Sequence, residues 1–240
     1  DVRLFNHAIS AAKVAEIMNK GEDPLRAGSP KPARGALAPI NEATSLSWAR
    51  GEKASQHDVY FGLDKAAVAN ADASDTTGVY RGRQGVTSYT PPEGVQFNSG
   101  PFYWRIDEVN TDGTITTGGI WSFSVANYAL VEDFESYNEI LSGQPGSNLV
   151  YMTWSDGYVP PPATRTNGST MGYPTGNSLE TARVHGGSKA VPLIYDNSTV
   201  SFSEVERTLA AQNWTDHGIQ TLSLWFYGDP ANVAGQLYVK

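Results

Sequence analysis

Nine consecutive residues, Phe102 to Asn110, alternate as a strand alternates: Phe102, Trp104 and Ile106 fall on one face, Tyr103, Arg105 and Asp107 on the other. A second run, Ile120-Trp121-Ser122-Phe123-Ser124-Val125, puts Trp121, Phe123 and Val125 together. Aromatic and β-branched side chains of this kind fit a pleated, half-buried surface. Between the runs, Asn110-Thr111-Asp112-Gly113 supplies turn chemistry, with Asp-Gly able to take positive φ. A hairpin this rich in indole and phenyl rings needs a second sheet to cover it, which points to a β-sandwich. Glu108 falls on the core-facing register of the same strand. An unpaired buried carboxylate is costly, so it needs a partner, and His57 and Arg81 are the candidates.

Further strand-like runs recur upstream: 44–48, 57–61, 78–80 and 87–89, broken by Gly, Pro and Asp. Leu46 and Trp48 share a face, as do His57, Val59 and Phe61; with Trp104, Ile106, Trp121 and Phe123 they form the expected core. The low charged fraction of 18%, with 24 Gly and 14 Pro, suits a turn-rich β protein better than a helical bundle. After a hinge at 127–130, strand candidates continue at 150–154, 190–195, 221–226 and 236–239. In the third of these, Leu222, Leu224 and Phe226 take one face, and Thr221, Ser223 and Trp225 the other. Glu204 to Gln212 reads as a short helix. At the amino end, residues 1–6 alternate as a strand and Ser10 N-caps a helix through Asn19, stopped by Gly21.

The middle segment resembles a fibronectin type III domain, particularly a bacterial variant. The resemblance rests on Leu46-Ser47-Trp48, His57 to Gly62, Phe102 to Asn110 and Trp121 to Phe123. Phe102 stands at that family's tyrosine-corner position, so the corner's hydroxyl bond is missing. The first 27 residues, with Asp1 to Ser10 followed by Ala11 to Ile17, resemble the closing strand and helix of a laminin-G-like, concanavalin A-like jelly roll. The last segment resembles the amino-terminal part of a galactose-binding-like jelly roll, as in many carbohydrate-binding modules. It does so through Glu132 to Tyr137, His185 to Ala190, and Leu222 to Phe226 with Gly228-Asp229. The resemblances imply an all-β chain in three parts. These are a laminin-G-like remnant over 1–27, a fibronectin-like sandwich over 28–127 and a jelly roll over 128–240. The outer two are expected to be incomplete pieces belonging with other domains of a longer parent chain.

Several function classes drop out. Net charge is −8, from 17 basic and 25 acidic residues, without the basic patch that nucleic-acid binding needs. No apolar run approaches the ~20 residues of a membrane span. Cys is absent, which removes thiolate nucleophiles and thiolate metal sites. No phosphate-cradling Gly loop, HExxH helix or GxSxG elbow is present. His57, Asp58, Asp107 and Glu108 are the residues an acid–base set would use. Asp58 and Asp107 point away from the His57 face, so they read as surface carboxylates beside a core histidine.

What remains is binding without catalysis. Trp154, Tyr158, Trp214 and Trp225 are candidates to stack on sugar rings, although core packing accounts for most such aromatics. Tyr158, before Pro160-Pro161-Pro162, is the best placed; Trp154 and Trp214 accompany it. The jelly-roll resemblance implies a structural Ca²⁺ at the first strand, where Asp133 and Glu135 lie. It also implies a polysaccharide or surface glycan as partner and an extracellular or bacterial cell-surface location. The expected function is non-catalytic glycan binding, adhesion and domain spacing. The alternative is a set of accessory modules of a polysaccharide-degrading enzyme whose catalytic domain lies outside this chain.

Overall fold

The computed structural model describes residues 10, 14, 23–160, 163–172, 176–209, 213–232 and 235–240. The strand expected over 1–6 and most of the helix expected from Ser10 to Asn19 lie outside them. The chain divides into two units, Asp1–Leu130 and Val131–Lys240. The described secondary structure is mostly β-strand, with a few short helices.

The first unit carries strands β1 (Gly28–Lys31), β2 (Ala36–Ala38), β3 (Leu46–Ala49), β4 (Ala54–Gly62), β5 (Tyr80–Gln84), β6 (Ser88–Tyr89), β7 (Phe102–Asn110), β8 (Ile115–Thr116) and β9 (Trp121–Val125). Two short helices, α1 (Ile40–Ala43) and α2 (Lys65–Asn70), interrupt them. One sheet runs β2-β9-β7-β4-β5 with β8 added on β7; the other runs β1-β3-β6. Trp48 of the smaller sheet meets Trp104 of the larger at 6.2 Å between ring centroids, and Trp104 meets Trp121 edge-on at 4.6 Å. Phe102 stacks between Phe61 and Phe123 at 5.4 and 5.3 Å. All of the expected core residues are buried.

The central hairpin forms with one modification. Gly113 takes φ +82°, and its N–H donates to the Asn110 carbonyl at 2.9 Å. Glu108 lies opposite Thr116, but Trp104 lies opposite Trp121. Four steps back along β7 thus correspond to five along the returning chain, and the extra residue sits by Gly118. A Cβ at Gly118 would run into the Ile106 carbonyl, so glycine is required for this close approach.

Glu108 and His57 are opposite each other on β7 and β4, and both are fully buried. The His57 Nδ1 is hydrogen-bonded to Glu108 Oε2, and Gly51 N–H donates to Glu108 Oε1 at 2.9 Å. Trp48 closes the site with its ring edge-on to His57 at 5.4 Å. Arg81, the other candidate partner, pairs instead with Glu93 at 2.7 Å.

The opposite face of β4 and β7 corrects an expectation: Asp58 and Asp107 are buried, not at the surface. Helix α2 lies over this face. Asp64 caps its start by accepting from Ala66 and Ala67 N–H at 2.7 and 3.0 Å. Its end is held by Arg105, which donates to the carbonyls of Val68, Ala69 and Ala71 at 2.6–2.7 Å. Those are the carbonyls a helix leaves without internal partners. Arg105 also grips Asp107 through two bonds, at 2.9 and 3.0 Å, and lies 4.1 Å over the Tyr60 ring. Burial pushes the Tyr60 phenol up to about 12, aided by the charges of Asp107 and Asp58. Asp58 is gripped by Arg83 at 2.9 and 2.8 Å and accepts from the Tyr80 hydroxyl at 2.9 Å. Burial works against its carboxylate, but these bonds and the Arg83 charge outweigh it and lower its pKa. A polar layer, fully paired, therefore does on this face what indoles do on the other.

The second unit has helix α3 (Val150–Thr153), an antiparallel pair β10 (Ser169–Met171) and β11 (Leu193–Tyr195), and a 3₁₀ turn at Asp216–Gly218. Tyr137, Val150, Met171 and Leu179 form its core, with Phe134, Trp154, Val191 and Val205 against them. Three expectations are corrected here. Within the run 150–154, Val150–Thr153 is helical rather than extended. Val150 and Trp154 turn inward at i, i+4 while Tyr151 and Met152 are exposed, so tertiary packing overrides the β-rich composition. Residue Glu206 sits in an antiparallel bridge with Ser155, not in a helix. Residues 221–226 and 236–239 form no strand. No described strand lies in register with them, and their large side chains are exposed on both faces. Among the described residues, no helix is long and apolar enough to cross a membrane.

Two outcomes test the first unit. Glu108→Ala strands His57 and the Gly51 N–H and lowers unfolding stability in urea by about 3–5 kcal/mol. A double replacement of His57 and Glu108 by leucines recovers part of that loss. Asp58→Asn is destabilising by about 1–3 kcal/mol at neutral pH. Because the folded-state pKa of Asp58 is lowered, its contribution is present above the unfolded value of about 3.9 and fades as pH falls through the folded one. The gap between wild type and D58N in pH-resolved melts therefore closes toward acid.

Candidate ligand-binding surface

The four residues an acid–base set would use do not converge. His57 and Glu108 are bonded to each other beneath Trp48, and Asp58 and Asp107 are held by arginines on the opposite face. All four are buried, so none presents a free proton donor or acceptor to a substrate.

The second unit is built around the segment from Glu132 to Tyr137. Phe134 takes φ +63°, an unusual backbone for a non-glycine residue, and Glu132 Oε1 accepts from its N–H at 2.7 Å. Glu132 Oε2 accepts from the Tyr137 hydroxyl at 2.9 Å and is also paired with Arg207. The Trp154 indole N–H donates to the Tyr137 oxygen at 3.1 Å, Phe134 lies 6.0 Å from the Trp154 ring, and Arg207 lies 5.9 Å over it. Trp154 is thus half-buried in a polar and aromatic frame, with its indole N–H spent on the Tyr137 hydroxyl.

Asp133 and Glu135 do not form a common oxygen set. Asp133 Oδ1 accepts from the Glu135 N–H at 3.0 Å. The Glu135 carboxylate is saturated by the loop carrying Gly187-Ser188-Lys189. Oε1 accepts from the Ser188 and Lys189 N–H groups, both at 2.8 Å, and Oε2 from the Ser188 hydroxyl at 2.6 Å. These bonds, the Ser188 hydroxyl foremost, hold the Glu135 carboxyl below its ordinary range. The Lys189 ammonium donates to the carbonyls of Glu135 and Tyr137 at 2.8 and 2.7 Å. Among the described residues no group of three or more His, Cys, Asp or Glu side chains is placed to hold a metal. The residues present therefore do not fit the expected Ca²⁺, which takes 6–8 oxygens free of competing donors.

The aromatics outside the core are the remaining candidates. Tyr158 is 57% exposed and Trp214 37% exposed. Tyr158 is set by its backbone, whose N–H donates to Asp156 Oδ1 at 2.9 Å. Trp225 and Tyr227 are more open still, at 71% and 77%. His185 stacks on Trp225 with ring centroids 3.8 Å apart and planes 17° from parallel, and Arg183 lies 5.9 Å over Tyr227. The sequence singles out neither Arg183 nor Tyr227, and His185 only as part of the phrase His185 to Ala190. The available signal was Trp225 itself, a large ring on the polar face of a run whose other face is Leu222, Leu224 and Phe226.

Comparison with known proteins gives no match: no family model, no curated protein and no solved structure matches the chain.

The division of labour among these aromatics can be checked by substitution. Trp154→Ala lowers stability by about 3 kcal/mol, the low end for a large buried aromatic. Tyr158→Ala and Trp214→Ala change it by no more than about 0.5 kcal/mol, as exposed positions do. Urea unfolding of the three variants separates the two classes.

Proposed function

We infer that this chain is a non-catalytic piece of an extracellular bacterial protein. The reading takes residues 28–127 as a fibronectin type III-like spacer and residues 128–240 as a galactose-binding-like module that holds a glycan. The remnant over 1–27 belongs, on the same reading, to a laminin-G-like neighbour. The observation that carries it is the open aromatic surface of the second unit. Trp225 is backed by His185 and otherwise exposed, and Tyr227 stands two residues on with Arg183 above it. Flat rings of this kind accept the apolar faces of pyranose rings, and a guanidinium beside them donates to sugar hydroxyls. Tyr158 and Trp214 are further exposed rings on the same unit. The pairing of every candidate acid–base residue in the first unit supports binding over chemistry.

Affinity gel electrophoresis against a panel of polysaccharides tests this. At least one polysaccharide is expected to retard the protein, and Trp225→Ala and Tyr227→Ala to abolish the retardation. No retardation by any polysaccharide in the panel leaves the spacer role alone.

A further inference from the structure

We propose that Lys189 is a built-in cation that replaces a metal ion in the second unit, so that the clamp joining residues 135–137 to the Gly186–Lys189 loop works without calcium. This inference is independent of what the aromatic surface binds. The oxygen atoms a hard cation would use are present: two carboxylates and two backbone carbonyls within residues 133–137. The Glu135 carboxylate and both carbonyls are already taken by the loop. The ammonium of Lys189 sits 2.8 Å from the Glu135 carbonyl and 2.7 Å from the Tyr137 carbonyl. A Ca²⁺ would have to lie about 2.3–2.6 Å from those same oxygens. The two cations would occupy one position, so they exclude each other.

The clamp is reciprocal. The first segment sends a carboxylate to the loop, and Glu135 accepts three bonds there: the backbone N–H of Ser188, that of Lys189, and the Ser188 hydroxyl. The loop returns an ammonium to the first segment's carbonyls. Opposite charges thus cross between two chain segments about 50 residues apart, each satisfied by donors or acceptors the other's backbone supplies. Glycine is needed at the crossing. Gly187 has φ +69°, and a Cβ there would collide with the Glu135 carboxylate. This gives Gly187-Ser188-Lys189 a physical reason: close approach, hydroxyl donor, cation.

The test uses the full chain and hydrogen exchange at the Ser188 and Lys189 amides, which report the clamp locally. In the wild type, calcium and a chelator are expected to give the same exchange rates and the same melting midpoint. Lys189→Met is expected to speed exchange at both amides at least tenfold, and Lys189→Arg, which keeps the charge, to restore much of the protection. Slower exchange or a higher midpoint of the wild type in calcium overturns the proposal, as does unchanged exchange in K189M. The wild-type comparison decides the matter even if K189M does not fold.

Discussion

The antiparallel pairing of β4 with β7 is the constraint on which the first unit rests. These are its two longest strands, nine residues each; β5 attaches to β4, β8 and β9 attach to β7, and β2 joins through β9. Because strand side chains alternate, one register fixes two surfaces at once. It sets Val59, Phe61, Trp104 and Ile106 against the smaller sheet and, on the reverse, Tyr60, Asp58, Arg105 and Asp107 beneath α2. A slip of one residue would exchange an aromatic core with a layer of paired charges. Few mispairings are as costly, so the register is strongly specified.

The charged residues in this sandwich follow from burial. Each buried carboxylate faces a cation or a hydrogen-bond donor set within reach: Glu108 with His57 and the Gly51 N–H, Asp58 with Arg83 and Tyr80, Asp107 with Arg105 and the Gly118 N–H. Removing one member leaves the other desolvated and unpaired, which is worse than never having built the pair. The same pairing occupies these groups. Their polar atoms are committed to each other and closed off from solvent.

In the second unit the organising device is different. Core aromatics are few, and polar side chains join distant segments through backbone groups. Glu132 holds Phe134, Tyr137 and Arg207; Glu135 and Lys189 clamp a glycine loop; Arg165 donates to the Gly157 and Ser169 carbonyls and the Thr170 hydroxyl. The loop fixed by the clamp also carries His185, the ring beneath Trp225. Scaffold and aromatic surface therefore meet in one short stretch of chain.

The sequence alone determined the strands that became β3, β4, β7 and β9, the Asp-Gly turn and the need of Glu108 for a partner, because period-two burial and turn chemistry are local properties of the chain. It also showed that the aromatics at 48, 104 and 121 belong inside. It did not show that Asp58 and Asp107 are buried, since that depends on α2 folding over the far side of the sheet. Nor did it show that Val150 to Thr153 would coil, that 221–226 would find no partner strand, or that Lys189 would take the carbonyls of residues 135 and 137. Those outcomes rest on contacts between residues far apart in the chain. A pattern within one segment reveals which faces need covering; only the tertiary structure decides what covers them.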